Sequence, residues 1–211
     1  MMEIKKFTFN PFQENTYLLF DETKEAIIID PGCFNSTEEA ILEEYIFENK
    51  LKPVRLLNTH AHIDHVLGNK FVADKYELGL ELYQSEYPML EMAKTSADLY
   101  GVPYNESPEP SSYLKEGDQI TFGKTTLEVI FVPGHAPDHL VFLNKSQQLL
   151  IGGDTLFRGS IGRTDLPGGN HDELLDNIRK KLFTLNEAIV VYSGHGEETT
   201  IGEEKKSNPF F

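Results

Sequence analysis

The chain has no tryptophan, a single cysteine, and nowhere a run of about eighteen apolar residues, the length that a membrane-spanning helix requires. With Cys33 alone no disulfide can close within the chain, which fits a reducing compartment. The lysines of MMEIKKFTFNPFQENTY are not followed by the apolar stretch of a secretory leader. A cytoplasmic protein with no membrane partner is therefore expected. Basic residues are also scarce, 19 against 34 acidic ones, for a formal net charge of −15. Nucleic acid is not expected as a partner, because binding it normally takes a basic face that neutralises phosphates. What is present is 39% hydrophobic content over 211 residues, enough for one well-buried domain made of two closely fused halves, about 1–105 and 106–211.

Short β-prone runs at 3–10, 15–22 and 25–30, separated by Asn, Pro, Asp and Glu, predict consecutive antiparallel strands. Ser36 with Glu38 and Glu39 marks a helix start, and Ala40, Ile41, Tyr45 and Ile46 form an apolar stripe up to about Lys50. After Pro53 the extended run VRLLN leads into a histidine-rich stretch. A helix over VLGNKFVADKY, a strand at 80–84 and a helix from Ser85 to Tyr100 closed by Gly101 follow. Residues 102–112, VPYNESPEPSS, are rich in structure breakers and read as the connection between the halves. The second half repeats the element order, with strands at 119–122, 125–132, 139–143 and 148–151, a helix at about 171–185 and a strand at 188–192. In that helix Leu174, Leu175, Ile178, Leu182 and Leu185 recur at the spacing of a core-facing stripe. The class is α/β (α+β).

THAHIDH at 59–65 places His60, His62, Asp64 and His65, four potential metal ligands, within six residues of a chain that has seven histidines. Imidazole nitrogen and carboxylate oxygen suit zinc, iron and manganese. Alternate residues leaving a strand point the same way, so His60, His62 and Asp64 can converge. Three later runs end in the same manner: IFVPGH on His135, LLIGGD on Asp154 and VVYSGH on His195. Glycine lets the chain turn sharply as it leaves the sheet, so that a rigid strand presents each ligand at a sheet edge. Seven ligands exceed the needs of one four-coordinate ion and suit two ions about 3.5 to 4 Å apart that share a carboxylate and a hydroxide. Since both halves contribute, the ions are expected between them.

These residues resemble the metallo-β-lactamase superfamily, whose motif HxHxDH is followed by His, Asp and His. Within it, FRGSIGRTDLPGG at 157–169 and GHGEETTIGEEKKSNPF at 194–210 resemble the short, single-domain glyoxalase II-like (hydroxyacylglutathione hydrolase-like) enzymes of bacteria. The resemblance implies a four-layer αββα sandwich with metals along one edge of its two packed sheets. It further implies that His60, His62 and His135 hold one ion, that Asp64, His65 and His195 hold the other, and that Asp154 bridges them.

Two such ions acidify the water between them and polarise a carbonyl, which is the chemistry of hydrolysis by metal-bound hydroxide. Zinc is the expected cofactor, and iron and manganese are compatible with the same ligands. Asp64 is the natural residue to orient the hydroxide and take its proton, and is assigned as catalytic as well as a ligand. No glutamate, lysine or tyrosine beside the motifs stands out as a general acid. A thiolate leaves without one, since a thiol pKa is about 8.5, whereas an amine does not. Small thioesters are thus favoured over amides, and the resemblance points to S-2-hydroxyacyl thioesters such as lactoylglutathione. Full-length glyoxalase II helps bind glutathione with a carboxy-terminal helical domain. Only sixteen residues follow His195 here, so a different thiol carrier or loose thiol specificity is expected.

Around these ligands, Arg163 is a candidate to grip a substrate carboxylate, or else to pair with Asp165 and hold the loop. Phe157 is a candidate pocket wall. Asp30 and His139 are candidates to support ligands from behind. His171 reads as a capping or surface residue, and Cys33 as a packed residue without an activating partner. Two other functions fit the same residues. One is a persulfide dioxygenase of the same superfamily branch, resembled around GRTD, with a single iron on the equivalents of His60, His135 and Asp154. The other is a non-catalytic, metal-stabilised interaction module with an acidic surface.

Overall fold

A computed structural model describes residues 1–211, residue 85 by its backbone alone. The chain forms two compact units: Met1–Tyr113 with Thr121–Thr126, and Leu114–Ile120 with Leu127–Phe211.

In the first unit β1 (Glu3–Phe9), β2 (Glu14–Phe20) and β3 (Glu25–Ile29) form the expected antiparallel run. The next two strands, β4 (Lys52–Leu57) and β5 (Leu80–Tyr83), pair parallel, β4 to β3 and β5 to β4. A parallel neighbour cannot be reached by a tight turn, so helices fill both connections. These are α1 (Ser36–Glu48), then α2 (Ile63–Val66) and α3 (Asn69–Tyr76). Helix α4 (Tyr87–Tyr100) follows, ended by Gly101 at φ 69, and β6 (Pro110–Leu114) closes the six-stranded sheet. Leu18, Ile28, Leu56 and Leu80 from the strands are buried in one cluster with Leu42, Ile46, Val72 and Leu90 from the helices. Each such side chain contributes about 1.5–3 kcal/mol through burial.

Two expectations are corrected here. The first turn of α1 is capped by Asn35, whose Oδ1 accepts from Thr37 N at 2.9 Å and Glu38 N at 3.0 Å. The Glu38 carboxylate reaches back to Phe34 N and Asn10 N. So anchored, the helix turns Leu42 and Ile46 inward, and Ile41, expected in the stripe, is 46% exposed. Residues 110–112, expected in the connection, belong to the edge strand β6, where a proline without an N–H is tolerated. Ser111 Oγ ties that strand to Leu80 O at 3.2 Å.

A second six-stranded sheet, of the second unit except for Thr121–Thr126, has the order β14-β13-β10-β9-β8-β7. Its strands are β7 (Gln119–Phe122), β8 (Thr125–Phe131), β9 (Leu140–Asn144), β10 (Leu149–Gly153), β13 (Val190–Ser193) and β14 (Thr199–Thr200). β8, β9 and β10 pair antiparallel and β13 runs parallel to β10. The crossover to β13 contains a small ribbon, β11 (Leu156–Phe157) with β12 (Ser160–Ile161), and α5 (His171–Asn177). The predicted helix to 185 instead widens after α5 into a π-helical turn, Ile178–Leu182, where Phe183 N bonds Ile178 O at 2.9 Å. Leu174, Ile178 and Leu182 are buried with Val141, Leu150 and Val191. A final helix, α6 (Ile201–Ser207), follows β14. Among the described residues no helix is long and apolar enough to cross a membrane.

Gly134, one residue before His135, has φ 128, and a Cβ there would lie 2.6 Å from the Cα of Leu174. Gly134→Ala is expected to lose about 2 to 4 kcal/mol of stability, from backbone strain and overpacking together, in a denaturant titration. A loss below about 0.5 kcal/mol would show that the turn tolerates a side chain. Cys33 is fully buried, and its burial, with Glu39 nearby, pushes the thiol far above its ordinary pKa. The folded chain should therefore leave a thiol reagent unreacted until denaturant is added, when one equivalent reacts.

Candidate metal centre

In the first unit β3 ends at Asp30 and β4 runs into Asn58 and Thr59, bringing a buried carboxylate under the histidine loop. Asp30 Oδ1 accepts from Thr59 N at 2.7 Å and Asn58 Nδ2 at 3.3 Å. Its Oδ2 accepts from Thr59 Oγ1 at 2.6 Å and lies 3.1 Å from His65 Nδ1. Four donors thus satisfy a carboxylate that would otherwise be costly to bury. They also fix ring tautomers. His65 Nδ1 faces a carboxylate and must carry its proton, leaving Nε2 as the ligand atom. Thr59 spends its own proton on Asp30, so at 2.9 Å from His60 Nδ1 it acts as acceptor, and His60 too presents Nε2.

His60 Nε2 and His62 Nδ1 are 3.1 Å apart, and His65 Nε2 is 3.7 Å from Asp64 Oδ2. Two ligand atoms on one tetrahedral ion at about 2.0–2.1 Å stand about 3.3 Å apart, so both pairs fit a shared ion. The convergence of His60 and His62 follows the strand-exit argument, but Asp64 does not. It sits on α2, where His65 N bonds His62 O at 3.0 Å, so a helical turn and not strand alternation delivers Asp64 and His65. Glu14, buried in β2, lies 3.9 Å from His65 Nδ1, and burial pushes its carboxyl up while His65 opposes that.

In the second unit the pattern of strand, glycine and ligand brings His135, Asp154 and His195 together. Asp154 Oδ2 is 3.5 Å from His135 Nε2 and 3.5 Å from His195 Nε2. His135 Nδ1 is 2.7 Å from the carbonyl of Arg163, which only accepts, so His135 also presents Nε2. Gly162 permits this approach, since a Cβ there would collide with Asp154 O and lie 2.9 Å from His135 Nδ1. His139 Nε2 accepts from Asp154 N at 3.0 Å, which commits that nitrogen to holding the carboxylate's backbone. The Phe157 ring meets His195 edge-on at 6.3 Å.

Arg163 and Asp165 form a two-pronged pair, Nε to Oδ1 and a terminal nitrogen to Oδ2, both at 2.7 Å, and Arg163 holds the exposed Asp165 carboxyl down to about 2. His171 opens α5 outside both ligand groups, against Phe210. Several contributors went unread in the sequence: Thr59 and Asn58 behind the loop, Glu14 inside a strand, and Glu86, whose buried carboxylate accepts from Ala61 N at 2.8 Å. The signal for Glu14 and Glu86 was a lone acid beside apolar residues, which surface glutamates imitate.

The chain matches the metallo-beta-lactamase superfamily model over residues 9–195. It is 38% identical over 212 residues to a probable metallo-hydrolase, YqgX, of Bacillus subtilis, across 99% of this chain and 97% of that one. It is 37% identical over 213 residues to hydroxyacylglutathione hydrolase GloC of Haemophilus influenzae, across 99% and 98%. Among solved structures it is similar to the BLEG-1 B3 metallo-beta-lactamase, with TM-score 0.90 and 36% identity over 99% of each chain. It is also similar to TTHA1623 in a di-iron-bound form, with TM-score 0.88 and 34% identity over 98% of this chain and 100% of that one. On a mixed α/β fold that these proteins share, the chain belongs to the metallo-β-lactamase superfamily of metal-dependent hydrolases.

Proposed function

We propose that the chain hydrolyses small thioesters of the S-2-hydroxyacyl kind with two divalent ions as cofactor. The observation that carries this reading is Asp154, one carboxylate oxygen of which stands 3.5 Å from a ring nitrogen of both His135 and His195, which supports a role as a shared ligand. In this reading His60, His62 and His135 hold one ion, Asp64, His65 and His195 hold the other, and Asp154 serves both. Zinc and iron both accept such donors, and the di-iron form of a 34% identical protein supports iron as an alternative to zinc. The hydroxyacylglutathione hydrolase at 37% identity supports the substrate class.

When bound, the ion pair supplies an acidified water as nucleophile and a Lewis acid for the thioester carbonyl. Asp64, its side chain 15% exposed, orients that nucleophile and accepts its proton. Asp30, Thr59 and the Arg163 carbonyl hold the ligand rings in the tautomers that leave Nε2 bare. The departing thiolate needs no proton donor, because a thiol pKa is about 8.5. Phe157, edge-on to His195, is in this reading the candidate wall beside the substrate.

Chelator-stripped protein is expected to lose hydrolysis of S-lactoylglutathione and to regain it with two equivalents of zinc or iron per chain. Turnover that persists in fully stripped protein contradicts the reading. In metal-replete Asp64→Asn, kcat should fall about 10²- to 10⁴-fold with little change in KM. A kcat within twofold of the parent would remove Asp64 from the proton transfer.

A further inference from the structure

Two side chains that the roles above leave unused grip the ligand loop by its backbone. Glu86, the last residue of the short turn Gln84–Glu86 before α4, is fully buried, and its Oε2 accepts from Ala61 N at 2.8 Å. Ala61 is the residue between His60 and His62, so this bond fixes the peptide that spaces the two rings. Asn10, in the turn between β1 and β2, donates through Nδ2 to Asp64 O at 3.0 Å and to Gly32 O at 3.0 Å. Its own position is determined on every side. The backbone is left-handed at φ 52, which asparagine tolerates. Its Oδ1 accepts from Phe12 N at 3.0 Å, and its N–H donates to the Glu38 carboxylate at 3.0 Å. The Asp64 carbonyl is also pressed against Gly32, where a Cβ would lie 2.8 Å from it.

We propose that Glu86 and Asn10 are positioning residues that set the two ends of the ligand loop separately, Glu86 for His60 and His62, Asn10 for Asp64 and with it His65. The inference rests on the two-ion reading above. A buried carboxylate that accepts from Ala61 N holds two ring nitrogens at a ligand spacing before any ion arrives. A carboxamide bridging two carbonyls sets the tilt of α2, and therefore where the Asp64 carboxylate and the His65 ring point. Supporting residues of this kind typically change metal affinity about 10- to 100-fold when removed.

The test is a zinc titration of the stripped full chain, read from the imidazole ¹H–¹⁵N resonances of the individual histidines. Glu86→Ala is expected to raise about 10- to 100-fold the zinc needed to shift His60 and His62, and to leave His65 as in the parent. Glu86→Gln keeps an acceptor for Ala61 N and should restore the parent titration. If Glu86→Ala does not fold, Glu86→Asp, whose carboxylate stops a methylene short of Ala61, should give the same selective shift. Asn10→Gly keeps the left-handed turn and removes the amide, and is expected to do the converse, raising the zinc needed for His65 alone. Asn10→Asp, which turns an acceptor towards two carbonyls, should act in the same direction. Variants that shift all three histidines together, or none of them, overturn the inference while leaving the two-ion reading in place. Parent resonances indifferent to zinc overturn that reading, and the inference with it.

Discussion

The Nδ1 nitrogens of His60, His65 and His135 each face an oxygen: a threonine hydroxyl, a buried carboxylate and a backbone carbonyl. The geometry of the proposed ligands in both units depends on this. A neutral imidazole has one proton and one lone pair, so fixing the proton on Nδ1 fixes the lone pair on Nε2 and orients the ring around it. Asp30 is the most heavily used of these acceptors. By taking Thr59's hydroxyl proton it makes that hydroxyl an acceptor for His60, and by facing His65 directly it sets a second ring. One carboxylate therefore determines the tautomers of two proposed ligands. The buried charge is tolerable because four donors surround it.

Backbone pairing brings these groups together. Asp30 N bonds Leu57 O at 3.0 Å across the parallel β3–β4 pair, so the ends of both strands deliver the carboxylate and the histidine loop to the same place. In the second unit, β10 and β13 run parallel, and the proposed ligands Asp154 and His195 follow their ends, with Asp154 Oδ2 3.5 Å from His195 Nε2. His135 arrives by a different route, through Gly134, and is pinned by the Arg163 carbonyl over Gly162. The loop carrying Arg163 thereby acts through its backbone, while the Arg163 side chain is occupied by Asp165.

Most of this arrangement was legible in the sequence because its signals are local. THAHIDH, and glycine before each of His135, Asp154 and His195, mark chain segments that leave strand ends with candidate ligands. Alternating and helical apolar patterns placed β1 to β5, β7 to β10, β13 and the long helices to within a few residues, but not the short strands β6, β11, β12 and β14. What was not legible depends on partners distant in the chain. Nothing near Asn10 says that its amide will meet Asp64, fifty-four residues on, and nothing near Glu86 says that it will be buried under Ala61. The helical delivery of Asp64 and His65 was missed because four residues are too few to show a period. Helix α6 was missed because it buries only Ile201 and Glu204 and shows no apolar stripe. The inward face of α1 is one position off the expected stripe, because Ala40, Ile41 and Leu42 are all apolar and composition alone does not choose among them.

The claim that oxygen acceptors preset the ligand lone pairs is tested most directly by the side-chain ¹H–¹⁵N correlation spectrum of the metal-free protein near neutral pH, with His60, His65 and His135 assigned. The account predicts that all three rings carry a proton on Nδ1. A bare Nδ1 with the proton on Nε2 at His65 or His135 would contradict it, because the lone pair would then point at Asp30 or at the Arg163 carbonyl.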